Sequence, residues 1–153
     1  MDRINQKLIF ALTENARMSF SELGKRVHLS APAVAERIRK LEEIGVITGY
    51  RPTLNLEKMG IPITALIGCE VHHAKEKEFK LLVDTLDEVI ESQNLTGPYA
   101  FILKVGVSSM SALDDLLNRL IDLSDTHTMM ILSTPIKREL PRQLNLFNDV
   151  IDH

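Results

Sequence analysis

The stretch LSAPAVAERIRKLEEIGVI, residues 29–47, carries two patterns at once. Val34, Ile38 and Leu41 recur at the spacing of a buried helical stripe, and Leu29 just before them is apolar too. Arg37, Arg39 and Lys40 fall off that stripe. Ser30 suits the N-cap, and Pro32 is tolerated in a first turn whose amides are unpaired anyway. Gly45 then stops the helix. The segment reads as a helix running to about Glu43, with an apolar side and a basic side.

Upstream, DRINQKLIFALTEN places Ile4, Leu8, Ala11 and Leu12 on one helical face. SFSELGKRV follows, with Ser19 and Glu22 spaced as a capping box and Phe20, Leu23 and Val27 as its apolar stripe. HLS is a short turn. Downstream, VITGYRPTLNL is rich in β-formers and broken at Gly49, which predicts a short hairpin. Three short helices, a tight turn before the third and a hairpin describe a winged helix-turn-helix. The third helix packs through Val34, Ile38 and Leu41 and presents Ala33, Glu36, Arg37 and Lys40, with Arg39 toward one flank. Small residues at its start allow close approach to a surface, and the basic ones suit phosphates or guanine edges in a major groove.

The charge distribution agrees. The formal net charge is −3 over 153 residues. Residues 1–55 nevertheless hold nine Lys+Arg against six Asp+Glu, whereas residues 56–153 hold nine against fifteen. A basic front half and an acidic back half point to two domains with different partners, the front one suited to a polyanion such as double-stranded DNA.

The back half alternates differently. PITALIGCEVH, residues 62–72, reads as a strand. KEKEFKLLVDTLDE is a helix with Phe79, Leu82, Val83 and Leu86 on one face. VIESQNL and YAFILKVGV are strands joined through TGP. SSMSALDDLLNRLIDL is a second amphipathic helix, with Met110, Leu113, Leu117 and Leu120 in phase, and HTMMILSTPI, residues 127–136, is a last strand. The order βαββαβ gives an α+β, ferredoxin-like domain with helices on one face of a four-stranded antiparallel sheet. The bare face needs cover, which a second copy across a twofold axis supplies.

The division expected is 1–50 for the helix-turn-helix, 51–60 for wing strand and linker, 61–138 for the ferredoxin-like domain, and 139–153 for a C-terminal tail. In the tail, Pro141 can open a helix carrying Leu144, Phe147 and Ile151, which reads either as a frayed terminus or as an oligomer contact.

Other chemistries find little support. CEVHH holds Cys69, Glu70, His72 and His73, but strand alternation separates Glu70 and His72 from Cys69 and His73, so no metal site is expected. Cys69 suits a core position. The glycines form no phosphate-cradling motif, and Ser108, Ser109 and Ser111 have no base at a suggestive spacing. No catalytic residues and no cofactor are expected. No apolar run approaches the ~20 residues of a membrane span. MDRINQKLIF has no small-residue cleavage site, and one cysteine allows no intrachain disulfide, so a cytoplasmic protein is expected.

SELGKRVHLSAPAVAERIRKLEEIGVITGY and NLTGPYAFILKV resemble the Lrp/AsnC transcription regulators, and the likeness runs from about residue 2 to 138. It implies a winged DNA-binding domain and a C-terminal RAM domain that dimerises, often assembles to octamers and often binds an amino acid. Candidate DNA-contacting residues are Ser19, Ser30, Pro32, Ala33, Glu36, Arg37, Arg39, Lys40 and Arg51. Candidate effector-binding residues are Thr96, Gly97, Pro98, Tyr99 and Ala100. The family often carries an acid at the position of Ala100, which could meet the ammonium of an amino acid. With alanine there, weak or absent binding of common amino acids is expected. A nucleoid-organising protein with little sequence preference is the alternative to a gene-specific regulator.

Overall fold

The computed structural model describes residues 1–141. They fall into two compact units, Met1–Thr53 together with residues 136–141, and Leu54–Pro135, with separate cores. Among the described residues no helix is long and apolar enough to cross a membrane.

The first unit holds α1 (Arg3–Glu14), α2 (Phe20–Val27) and α3 (Ala31–Glu43). Each start is capped as its sequence predicts: Asp2 accepts from the Asn5 amide, Ser19 and Glu22 complete a capping box, and Ser30 accepts from the Ala33 amide. Leu8, Ala11, Leu23, Val27, Val34 and Ile38 form one buried cluster. Each fully buried leucine there contributes about 1.5–3 kcal/mol. Phe20 departs from expectation. It sits in the first turn of its helix, 46% exposed, and the buried stripe begins only at Leu23.

The turn between α2 and α3 depends on close backbone contact. His28 adopts a left-handed conformation (φ 57°) and closes α2. The Leu29 amide donates to the Gly24 carbonyl at 3.0 Å. A Cβ on Gly24 would lie 2.4 Å from the Leu29 carbonyl oxygen. Glycine is the residue that lets α3 leave α2 at this angle.

The expected hairpin over 46–56 does not form. The amides of Val46 and Ile47 both donate to the Leu41 carbonyl and close α3. The β-formers are then used singly: Ile47 packs on the three-helix core, and the Tyr50 hydroxyl donates to Glu42 at 2.7 Å. Gly49, at φ 153°, and Pro52, without an amide hydrogen, interrupt any ladder. The helix-turn-helix is present without a paired wing.

The second unit opens with a short 3-10 turn, Glu57–Met59. It continues as β1 (Ile63–Val71), α4 (Glu76–Asp84), β2 (Val89–Asn94), β3 (Phe101–Val107), α5 (Met110–Leu120) and β4 (Ser124–Met130). The sheet is antiparallel in the order β2-β3-β1-β4. Alternation puts Ala65, Ile67 and Cys69 of β1 and Phe101, Leu103, Val105 and Val107 of β3 on one face. Phe79 and Val83 of α4, with Leu86 just beyond it, and Leu113, Leu116 and Leu120 of α5 cover that face. Both helices therefore lie on one side, as the pattern predicts. In α5, Leu116 is the fully buried residue, Leu117 is partly buried, and Met110 is 59% exposed.

β4 is displaced from its expected span of 127–136. It starts at Ser124 and ends at Met130 because β1 offers no pairing partner past its own start: the last bond runs from the Ile131 amide to the Thr64 carbonyl. Leu132 and Ile136 are consequently exposed. Ser124, which looks like a loop residue, is fully buried, and its hydroxyl donates to the Leu120 carbonyl. Cys69 is a core residue, and burial pushes its thiol pKa up to about 11. The expected tail helix over Leu144, Phe147 and Ile151 lies outside the described residues.

Gly24→Ala should lower stability by about 1–3 kcal/mol, as overpacking does. The helix-propensity gain, at most about 1 kcal/mol, offsets only part of it. Urea denaturation measures the difference, and an unchanged midpoint would contradict the backbone contact.

Candidate nucleic-acid interface and ligand-binding turn

With 3.6 residues per turn, the side of α3 opposite Val34, Ile38 and Leu41 carries Pro32, Glu36, Arg39, Lys40 and Glu43, with Ala33 beside them. Glu36, Arg39, Lys40 and Glu43 each keep roughly half or more of their side chain in solvent. Ser30 sits at the helix start as its N-cap, and Ser19 occupies the same place on α2. Arg51 is exposed in the segment after α3, which holds no strand.

Arg37 is not on that outer side. It lies on the flank facing α1, 32% exposed, with Nη1 donating to Asp2 Oδ2 at 2.6 Å and to Asn5 Oδ1 at 2.9 Å. The Asn5 amide and this guanidinium hold the Asp2 carboxyl below its ordinary pKa. Arg37 thus ties the start of α1 to α3. A helical-wheel count that treats every off-stripe residue as outward misses this, because a long side chain at the stripe's edge can reach a neighbouring helix.

The outer side carries its own counter-charges. Arg39 Nε donates to Glu36 Oε2 at 3.0 Å and Nη2 to Oε1 at 2.7 Å, a two-pronged pair. Arg39 also pairs with Glu43. Lys40 Nζ lies 3.5 Å from Glu36 Oε1. Hydrogen bonding to Arg39 lowers the Glu36 pKa, and the same pair raises that of Arg39. Over Ala31–Glu43, three basic residues face three acidic ones, so α3 is electrically neutral. Glu43 was missed as an outward residue; its helical phase, seven residues after Glu36, is the signal that would have found it.

In the second unit, residues 95–100 join β2 to β3. Gly97 has φ 125°, a conformation side-chain-bearing residues rarely adopt. The Ala100 amide donates to the Cys69 carbonyl, and its own carbonyl accepts from the Leu95 amide and from Asn94 Nδ2. The Ala100 methyl packs against the core. Tyr99 turns the other way. Its ring carbons lie 2.9–3.0 Å from where a Gly68 Cβ would stand, and it meets His127 at 5.4 Å between centroids. Thr96, Gly97 and Pro98 are exposed. The structure therefore brings Tyr99 to the open sheet face beside Gly68 and leaves 96–98 as an accessible loop. Of the residues proposed as unlikely metal ligands, Glu70 lies 3.8 Å from His127, and His72 lies 3.6 Å from Asp125.

A capped three-helix unit presenting α3, followed by a βαββαβ domain with an exposed turn between β2 and β3, defines a two-domain helix-turn-helix protein. The family model for the AsnC-type helix-turn-helix domain matches residues 1–42, and that for the Lrp/AsnC ligand binding domain matches residues 64–141. The HTH-type transcriptional regulator LrpC of Bacillus subtilis is 31% identical over 87% of this chain and 92% of its own, and its structure superposes with a TM-score of 0.85. Regulatory protein AsnC of Escherichia coli strain K12 is 30% identical over 92% of this chain and 95% of its own. A transcriptional regulator of Neisseria meningitidis, solved as its L-Met complex, superposes with a TM-score of 0.87 at 26% identity, covering 92% of this chain and 96% of that one. This chain belongs to the Lrp/AsnC family of transcriptional regulators. It is a DNA-binding regulator and not an enzyme, and the relatives' names favour a gene regulator over a nucleoid-organising protein.

Proposed function

We propose that this regulator acts in the cytoplasm as a homodimer, assembling further to an octamer, and reads two DNA half-sites with paired copies of α3. The division proposed is 1–50 for DNA binding, 51–60 for the linker, 61–138 for dimerisation and effector binding, and 139–153 for a tail that contributes to assembly. Ser19 and Ser30, Pro32, Ala33, Glu36, Arg39, Lys40 and Arg51 form the contact surface. Arg37 contributes by holding α1 against α3.

One observation carries the assembly: the sheet face away from the helices bears large apolar side chains among its polar ones, such as Lys104 and Glu70. Leu66, Ile102 and Met129 point outward from it, and Ile61 and Ile90 lie over Gly106. Ile90 and Met129 are nearly half exposed. Pairing this face with its copy removes it from water, and a twofold dimer matches the symmetry of a two-half-site operator.

The effector proposed for the 96–100 turn is an amino acid, as in the L-Met complex of the Neisseria relative. Thr96 and Gly97 are exposed residues whose backbone amides suit a carboxylate, and the Tyr99 ring belongs to the same turn. Ala100 offers no charge to an ammonium, so the affinity for common amino acids is weak.

Three measurements test this reading. Lys40→Ala should weaken binding to all duplexes alike and reduce the slope of log affinity against log salt by about 1, as loss of one phosphate contact requires. A sequence-selective loss with an unchanged slope would reassign Lys40. Leu66→Glu should convert the protein to a monomer in sedimentation at micromolar concentration; a dimer indistinguishable from wild type would remove the open face from the interface. Calorimetry across the twenty amino acids should find dissociation constants no tighter than about millimolar, roughly −4 kcal/mol. Micromolar binding of any one would show that another group holds the ammonium.

A further inference from the structure

We propose that Glu36 is a specificity-determining residue of the DNA-binding unit, withholding Arg39 from phosphates except where a base amino group takes its place on the carboxylate. This rests on the reading of α3 as the helix that enters the groove.

The first observation is charge. A helix meeting a polyanion ordinarily gains from surplus basic residues, yet α3 is neutral. The second is position. Glu36 stands opposite the buried stripe, at the centre of the outward side, and keeps about half its side chain in solvent. The third is the partner set. Both Glu36 oxygens are engaged by Arg39, and Oε1 also faces Lys40. Glu36 is therefore the main partner of Arg39, which Glu43 also holds from the next turn, whereas Lys40 lies at the edge of the pair. The helix's other cation, Arg37, is committed to Asp2 and Asn5.

The major groove decides what can release it. Guanine shows acceptors at N7 and O6, thymine an acceptor at O4, and adenine an acceptor beside its amino group. These repel a carboxylate wholly or in part. Cytosine presents its N4 amino group as a donor and suits Glu36 best. On a site with cytosine in register, the carboxylate accepts from N4, and Arg39 swings to the phosphates. On other sequences Glu36 keeps it, and binding lacks that phosphate contact. Exposed ion pairs are weak enough to exchange in this way. Discrimination then comes from a penalty on wrong sites as much as from a contact with the right one.

The test uses the full-length chain and E36Q, which preserves length and removes the charge. A preferred duplex is first selected by wild type from a random-sequence library. Affinities for it and for a scrambled duplex are then measured across a salt series. For E36Q, scrambled-duplex affinity should rise about tenfold at 0.1 M salt, and its salt slope should steepen by about 1, the mark of one added phosphate contact. The ratio of preferred to scrambled affinity should fall at least as much. Adding R39A to E36Q should abolish the gain on scrambled DNA. A ratio for E36Q within about twofold of wild type overturns the proposal while leaving DNA binding by α3 intact. Failure of wild type to bind any duplex overturns the underlying reading as well.

Discussion

The contact between Gly24 and Leu29 sets the geometry on which the DNA-binding half depends. Two backbone groups meet there: the Leu29 amide reaches the Gly24 carbonyl, and the Leu29 carbonyl approaches the Gly24 α-carbon closely enough to exclude any side chain. His28, held left-handed, makes the reversal. The angle at which α3 leaves α2 follows from this contact. So does the choice of Val34 and Ile38 as core residues, and hence which residues remain to face outward. The outward side of α3 is thus a consequence of turn chemistry several residues upstream of that helix's own charged groups.

The second unit solves a different problem. A four-stranded sheet has two faces, and α4 and α5 cover one. The other bears glycines at 68 and 106, each shielded from within the chain, Gly68 by Tyr99 and Gly106 by Ile61 and Ile90. These side chains partly fill the open face, where Leu66, Ile102 and Met129 stand among polar neighbours such as Lys104 and Glu70. The same Tyr99 that shields Gly68 belongs to the turn assigned to the effector.

The charge pattern needs reading at two scales. Over 1–55 the surplus is basic, which favours approach to DNA. Over α3 alone it vanishes, because Glu36 and Glu43 sit among Arg39 and Lys40. Long-range attraction and local neutrality are compatible: the first governs encounter, and the second governs what happens at contact.

Much of this was legible in the residues. The caps at Ser19 and Ser30, the stripes in α1 and α3, the βαββαβ order and the core position of Cys69 follow from local rules, since caps and periodicity depend on residues within a turn or two of each other. The family likeness carried by SELGKRVHLSAPAVAERIRKLEEIGVITGY pointed the same way. Other features were decided by partners distant in sequence. The hairpin over 46–56 failed because Ile47 and Tyr50 found better contacts on the helices. β4 took its limits from β1, a strand more than fifty residues earlier. Arg37 left the outward side because Asp2 and Asn5, over thirty positions away, offered it oxygens. Sequence alone determined which elements form, because hydrophobic period and capping are local. The tertiary structure decided where strands end and which charges stay available, because pairing partners and counter-ions are supplied only when the chain has folded.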